Sequence, residues 1–302
     1  MQYGITYQGS KNSIAKDIIN ILPAGNRLVD LFGGGFAISH CAILSGKYKQ
    51  IYYNELNPLL VDLITKGLNG YFNKSKFTPK WLSREEFQRG KNIDGYIKYI
   101  WSFSCNGNDY LYGRDIEIYK KAIHYAVIYD DYSYLFNLGF NVKKVDGLPL
   151  QKVKKIYNQL KIGCSSQLEH LQRLQHLQHL ERLQHLERLE CLEINCGSYL
   201  DYKFKSGDIV YCDPPYENTK GYNNTTFDSI RFYDWVTTSE YPVYFSSYPI
   251  TDNRFIPVLE LDKRQTFSAT NNSKKMIEVV YWNGKGEQKN TYLKPIQLQL
   301  GV

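Results

Sequence analysis

The sequence contains no run approaching the roughly 18 apolar residues that a membrane-crossing helix needs, so a helical membrane span is excluded from its reading. Its first residues, MQYGITYQGSK, lack the basic-then-apolar layout of a secretory leader. Paired cysteines are missing too. The six, at positions 41, 105, 164, 191, 196 and 212, form no CxxC unit, which argues against a zinc site or a disulfide frame and for reduced thiols in the cytoplasm. No metal ligand set is expected. Acid is in mild deficit, 30 Asp and Glu against 37 Lys and Arg, and the resulting +7 is compatible with a polyanionic partner. What is abundant is aromatic: 27 Tyr, 14 Phe and 4 Trp make 15% of 302 residues, a density suited to flat rings meeting bases as well as to a core.

Along the chain, Ser10 is positioned to cap a helix from Lys11 to about Leu22, with Ile14, Ile18, Ile19 and Leu22 at helical spacing. Pro23 and Gly25 stop it. A short apolar run from Leu28 to Phe32 leads into Gly33-Gly34-Gly35, then a helix pattern over Ala37 to Leu44, a strand at Ile51 to Tyr53 and another helix near Pro58. Strand, glycine turn, helix, strand is a βαβ unit and implies a parallel sheet. From about Lys66 to Lys161 this grammar stops, leaving a Tyr- and Lys-rich stretch with helical patches near Ser83–Phe87 and Ile116–Tyr129. It resumes at Asp208–Cys212, with a helix around Asp228–Thr237 and strands at Val243–Ser246, Pro257–Leu261 and Met276–Trp282. The sheet is therefore split by an insertion, giving a catalytic domain at 1–65 and 193–302, an insertion at 66–165 and a low-complexity segment at 166–192.

That last segment carries Leu at every third position from Leu168 to Leu192. An α-helix advances about 100° per residue, so each step of three turns the stripe back by about 60° and one face cannot hold all nine leucines. Helix propensity is nonetheless high. Either the helix is interrupted, or its leucines bury on several sides, or the segment coils as a repeat. Its histidines, 170, 176, 179 and 185, follow the repeat rather than a metal-ligand pattern. The segment reads as a structural or interaction element, removable by whole units without disturbing the flanking strands.

Chemistry concentrates at three places. Glycines after the strand ending at Phe32 let backbone approach a ligand, and in open parallel sheets such turns lie at the ligand-binding strand ends. Glu55, at the end of the next strand, is placed to accept hydrogen bonds from ribose hydroxyls, although it could equally be a surface acid before Asn57-Pro58. Asp213-Pro214-Pro215-Tyr216 follows a buried strand; two prolines remove two donors and leave acceptors beside an aromatic face, a pocket for an exocyclic amine on a flat base.

With these residues in order, the chain resembles the Dam-like alpha group of DNA adenine-N6 methyltransferases over nearly its whole length. Tyr7, Gly9 and Lys11 match the family's first segment, Asp30, Phe32 and Gly34 its glycine turn, Glu55 its ribose acid and Asp213 to Tyr216 its catalytic motif; Phe36 stands where the family often has another glycine. The resemblance implies an α/β, class-I methyltransferase (Rossmann-like) fold with a mostly parallel seven-stranded sheet and a helical target-recognition insertion. It implies S-adenosyl-L-methionine as cofactor, held by Tyr7, Gly9, Lys11, Asp30, Phe32, Gly33, Gly34, Glu55 and Asp213, with Lys11 at the amino-acid end. It implies methyl transfer to a flipped adenine in double-stranded DNA, with an RNA adenine methyltransferase or a non-catalytic DNA- or partner-binding protein as alternatives. Asn106 and Asn108 are candidate base readers or simply a turn; Lys143, Lys144, Lys152, Lys154, Lys155 and Lys161 are candidate phosphate contacts or a solvated helix face. The repeat offers a route to self-association, and the role leaves room for a cognate restriction enzyme.

Overall fold

A computed structural model describes residues 2–160, 164–216, 227–265 and 274–286. The chain divides into two compact units, one of residues 1–4, 11–57 and 187–302, the other of residues 5–10 and 58–186.

The first unit is a seven-stranded sheet with helices. In chain order it holds α1 (Ala15–Ile21), β1 (Gly25–Asp30), α2 (Ala37–Ser45), β2 (Tyr48–Glu55), β3 (Leu192–Cys196), β4 (Asp208–Cys212), α10 (Ser229–Thr238), β5 (Val243–Ser247), β6 (Ile256–Gln265) and β7 (Lys274–Trp282). The spatial order is β3-β2-β1-β4-β5-β7-β6. The pairs β1–β2, β1–β4, β2–β3 and β4–β5 are parallel, whereas β7 runs antiparallel between β5 and β6. The expected seven-stranded, mostly parallel sheet is therefore present. β4 and β5 are buried at every position, which is why they read as unbroken apolar runs. Val29, Leu31, Val210, Cys212, Val243 and Phe245 pack with Phe232 and Val236 of α10. The one acid at the start of β4, Asp208, is neutralised by Arg27 at 2.9 Å.

Two sequence expectations need correction here. The first helix starts at Ala15, not Lys11; residues 12–14 form turns, Ile14 caps without a side-chain hydrogen bond, and the Ser10 amide donates to the Tyr7 carbonyl. β3 was not foreseen: it begins on the last leucine of the repeat, and its half-exposed burial pattern gives no apolar run.

The second unit is helical: α3 (Pro58–Leu68), α4 (Arg84–Gly90), α5 (Gly95–Ile100), α6 (Glu117–Ile128), α7 (Ser133–Asn137), α8 (Pro149–Leu160) and α9 (Cys164–Leu183). A capping box of Ser83 and Glu86 starts α4. The leucine repeat runs through α9, and the helix breaks at Leu183, before the repeat does. Leu171, Leu174 and Leu177 join a core made by α6, α7 and α8, including Ile123, Val127, Leu135, Val153 and Ile156. Leu180 and Leu183 instead close on Gly67 of α3. Leu174 and Leu183, nine residues apart, point about 180° apart around the helix. The repeat thus buries leucines on opposite sides of α9.

Candidate active site

The strand order reverses between β1 and β4, and ligands of open parallel sheets bind beyond the carboxyl ends of strands at such a switch. Those ends are tied together. The Leu31 amide donates to the Tyr211 carbonyl at 3.1 Å and the Gly33 amide to the Asn54 carbonyl at 2.8 Å. Buried Asn54 donates its side-chain amide to the carbonyls of Leu31 (3.0 Å) and Gly197 (2.9 Å). Gly33 is required for packing, since the Tyr53 ring lies 2.2 Å from where a Cβ would stand. Gly34 turns left-handed at φ 47°, donates its amide to Glu55 Oε2 at 3.0 Å and accepts the Tyr53 hydroxyl at 2.8 Å. Phe36, at φ 69°, holds at the start of α2 the left-handed conformation that glycine adopts without strain.

Glu55 therefore closes the glycine turn. Its Oε1 accepts the Asn57 amide at 2.9 Å, and burial raises its pKa against the lowering effect of these backbone donors. Each carboxylate oxygen has a second lone pair, so further acceptor capacity remains. Asp30, 1% exposed, accepts the Ser39 hydroxyl at 2.7 Å through Oδ2, while Oδ1 is a buried acceptor with no hydrogen-bond partner among the described residues. Burial pushes its pKa up to about 7, the Ser39 hydrogen bond opposing and nearby Asp213 adding to the rise.

Asp213 follows β4 and meets Lys11, whose Nζ lies 2.7 Å from Asp213 Oδ1 and 3.2 Å from Glu278 Oε1. The Tyr216 hydroxyl lies 2.8 Å from Glu278 Oε1 and 3.3 Å from Asp213 Oδ1, and the Lys11 ammonium stands 5.0 Å from the Tyr216 ring centre. Burial disfavours the lysine cation, but the two carboxylates outweigh it and hold its pKa above the ordinary 10.5. Burial, then Asp213 and Glu278, push the Tyr216 phenol well above its usual value, so it stays a donor. The Tyr216 ring packs edge-on to Tyr248 at 4.7 Å. Among the described residues the group is acceptor-rich and bounded by aromatic rings.

Lys11, Asp30, Phe32, Gly33, Gly34, Glu55 and Asp213 to Tyr216 all belong to the first unit. Phe32 is half-buried against Tyr199 at 5.2 Å, and Pro214 is buried. Tyr7 and Gly9 belong to the second unit, where Tyr7 packs edge-on to Tyr99 at 5.5 Å and Gly9 has φ 83°. The ammonium of Lys11 pairs with two carboxylates, one of them Asp213. Glu278 was missed altogether, although its signal was present: an acid inside the apolar run Met276–Trp282 can be buried only if it is paired.

In the second unit, Asn106 builds its own turn. Its Oδ1 accepts the amides of Asn108 (2.8 Å) and Asp109 (3.1 Å), and its Nδ2 donates to Asp109 Oδ2 at 2.9 Å. Asn106 is half-buried and the Asn108 side chain is exposed. Lys152 pairs with Asp130 at 2.8 Å, Lys144 lies 3.7 Å from the same acid, and Lys155 donates to the Asp146 carbonyl. Lys143 and Lys154 are exposed with no ion pair among the described residues. Lys161 lies outside them.

A profile of D12 class N6 adenine-specific DNA methyltransferases matches residues 7–237. The chain is 24% identical over 249 residues to the retron Ec67 DNA adenine methylase of Escherichia coli, covering 78% of this chain and 72% of that protein. It is 21% identical over 233 residues to the DNA N-6-adenine-methyltransferase of Escherichia phage P1, covering 75% of this chain and 26% of that protein.

Proposed function

Because the chain belongs to the D12 class of N6 adenine-specific DNA methyltransferases, we propose that Asp213 to Tyr216 receive the flipped adenine, with S-adenosyl-L-methionine as methyl donor. DNA adenine methylation is the activity of this family. The observation that carries the residue assignment is the position of Asp213: it leaves β4 where the strand order reverses, with an acceptor-rich, aromatic-walled cluster around it.

The donor and acceptor set fits the cofactor. Asp30 offers a buried acceptor, Glu55 retains acceptor capacity for a diol, and Phe32 presents a half-buried ring. These residues, with the Gly33–Gly34 turn, would hold S-adenosyl-L-methionine, which when bound supplies an electrophilic methyl on a sulfonium. Tyr7 and Gly9 enter the reading only through their match to the family's first segment.

The protein's own part is to make a poor nucleophile usable. The N6 lone pair of adenine is delocalised into the ring. Asp213 and the Pro214 carbonyl accept its two N–H bonds, draw the nitrogen toward tetrahedral geometry and localise the lone pair. As nitrogen attacks, positive charge develops on it, and the same acceptors stabilise that charge, an oxyanion-hole effect with the sign reversed. Tyr216 supplies a face against which the base stacks. No strong base is needed, because the methylated amine can lose its proton to solvent afterwards. The exposed Lys143 and Lys154, with Asn108, are assigned to duplex contact, and the cytoplasm is the compartment that fits. The buried leucines of α9 assign the repeat to the fold of its own unit.

The test is tritium transfer from labelled S-adenosyl-L-methionine to duplex DNA, RNA and no acceptor. The expected result is label in duplex DNA alone, with Asp213→Asn lowering the rate by about a hundredfold or more. Near-native turnover by that variant would remove Asp213 from the reaction.

A further inference from the structure

The turn after β1 carries two left-handed residues, Gly34 at φ 47° and Phe36 at φ 69°. Glycine adopts that conformation freely; phenylalanine keeps it only where its surroundings hold it. The Phe36 ring is fully buried, 5.3 Å from that of Tyr53. One helical turn along α2, the His40 amide donates to the Phe36 carbonyl at 3.0 Å, and the two rings stand 6.2 Å apart. His40 also reaches a segment distant in sequence. Its Nδ1 accepts the Gly4 amide at 2.8 Å, a buried hydrogen bond across 36 positions, and Tyr3 packs edge-on to its ring at 5.8 Å. Gly4 lies directly against the turn, since a Cβ there would stand 2.2 Å from the Gly35 carbonyl oxygen and 2.8 Å from the Ala37 amide nitrogen. Burial pushes the pKa of His40 down to about 4, so near pH 7 the ring is neutral, with Nδ1 free of a proton to accept. Gly4, Gly35, Phe36 and His40 all belong to the first unit, and residues 2–4 precede the stretch that the family profile matches.

We infer that His40 is a positioning residue of the cofactor site: by accepting the Gly4 amide at Nδ1 it straps residues 2–4 onto the backbone of Gly35 to Ala37 and holds the turn in the form whose Gly34 amide meets Glu55. Its role rests on the reading above, that this turn and Glu55 hold S-adenosyl-L-methionine. His40 acts through the backbone of the turn. With the strap released, Phe36 is free to leave the left-handed region, and Gly34, two residues before it, carries its amide away from Glu55 Oε2, now 3.0 Å distant. Cofactor binding then includes the cost of rebuilding the turn. Once the cofactor is bound the turn is closed again, and the chemical step proceeds as before.

The experiment measures S-adenosyl-L-methionine binding by calorimetry, together with kcat and the KM values for cofactor and duplex DNA, in the intact chain and in His40→Phe, His40→Asn, Gly4→Ala and Glu55→Ala. His40→Phe keeps a buried aromatic ring and removes the acceptor. His40→Asn loses the ring but keeps an acceptor, Oδ1, two bonds from Cβ as Nδ1 is. His40→Phe should weaken cofactor binding and raise the cofactor KM about tenfold, the loss of one buried hydrogen bond, with kcat and the KM for DNA nearly unchanged. His40→Asn should recover a large part of that affinity, whereas a role in packing alone would reverse the order of the two. Gly4→Ala, which forces the strap off the Gly35 carbonyl and leaves α2 intact, should match His40→Phe and carries the test where His40→Phe does not fold. Native affinity in His40→Phe or in Gly4→Ala, an affinity in His40→Asn no better than in His40→Phe, or failure of both His40→Phe and Gly4→Ala to fold overturns the inference. Glu55→Ala separates the two layers: if it alone binds weakly, only the role of His40 falls; if it too binds as the native chain does, the assignment of the turn to the cofactor falls with it.

Discussion

At Asp30 a strand ends and a carboxyl is left in the dry interior with one oxygen held by Ser39 and the other unmet. A carboxyl whose pKa is raised by folding holds its proton more tightly in the folded state. Its contribution to stability is complete below its unfolded value near 3.8 and is lost as pH rises through its folded value of about 7. Asp30→Asn removes the titration. The melting temperature of the variant minus that of the native protein should therefore increase from pH 5 to pH 8, and a difference independent of pH would show that Asp30 is not destabilised by burial. At this scale the sequence was legible where chemistry imposes a spacing: Asp30, Glu55 and Asp213 stand at the ends of three strands. It was silent on the carboxylate partners of Lys11, which lie 202 and 267 positions away. Glu278 escaped for the same reason, since the partner that makes a buried acid tolerable lies at the other end of the chain.

Among the elements, α9 was half legible. Period-three leucines could not share one face, and they do not; which faces they bury on depended on helices whose placement no repeat encodes. Deleting two units, six residues, would shorten the helix by about 9 Å and turn its far end by about 120°. Leucines that now meet Gly67 of α3 and those that meet α6 to α8 could not both keep their partners. The deletion should lower the melting temperature by several degrees or more, measured by circular dichroism, whereas an unchanged transition would make the repeat dispensable after all. On α8 and the turn before it, charge on the sequence is not charge at the surface, because Asp130 already engages Lys144 and Lys152. Replacing exposed Lys143 and Lys154 with alanine should reduce the slope of log affinity against log salt for duplex DNA by roughly 2 if each neutralises one phosphate. A slope equal to that of the native chain would place both lysines away from the duplex.

For the whole molecule, the parallel grammar of the sequence foretold a split sheet, whereas the order of its strands was not legible. The reversal between β1 and β4 was not written locally, because Arg27 and Asp208, which fasten those two strands, are 181 positions apart. That separation has a cost in time. Ribosomes add about 5–20 residues per second, so β1 waits roughly ten to forty seconds for the strand that covers its second edge. Through that interval Leu28 and Val29, both 0% exposed in the finished fold, have their β4 neighbours still unmade. A nascent chain with an open apolar strand edge is a template for pairing with another chain. The insertion between β1 and β4 thus leaves that edge open for as long as the intervening residues take to be made.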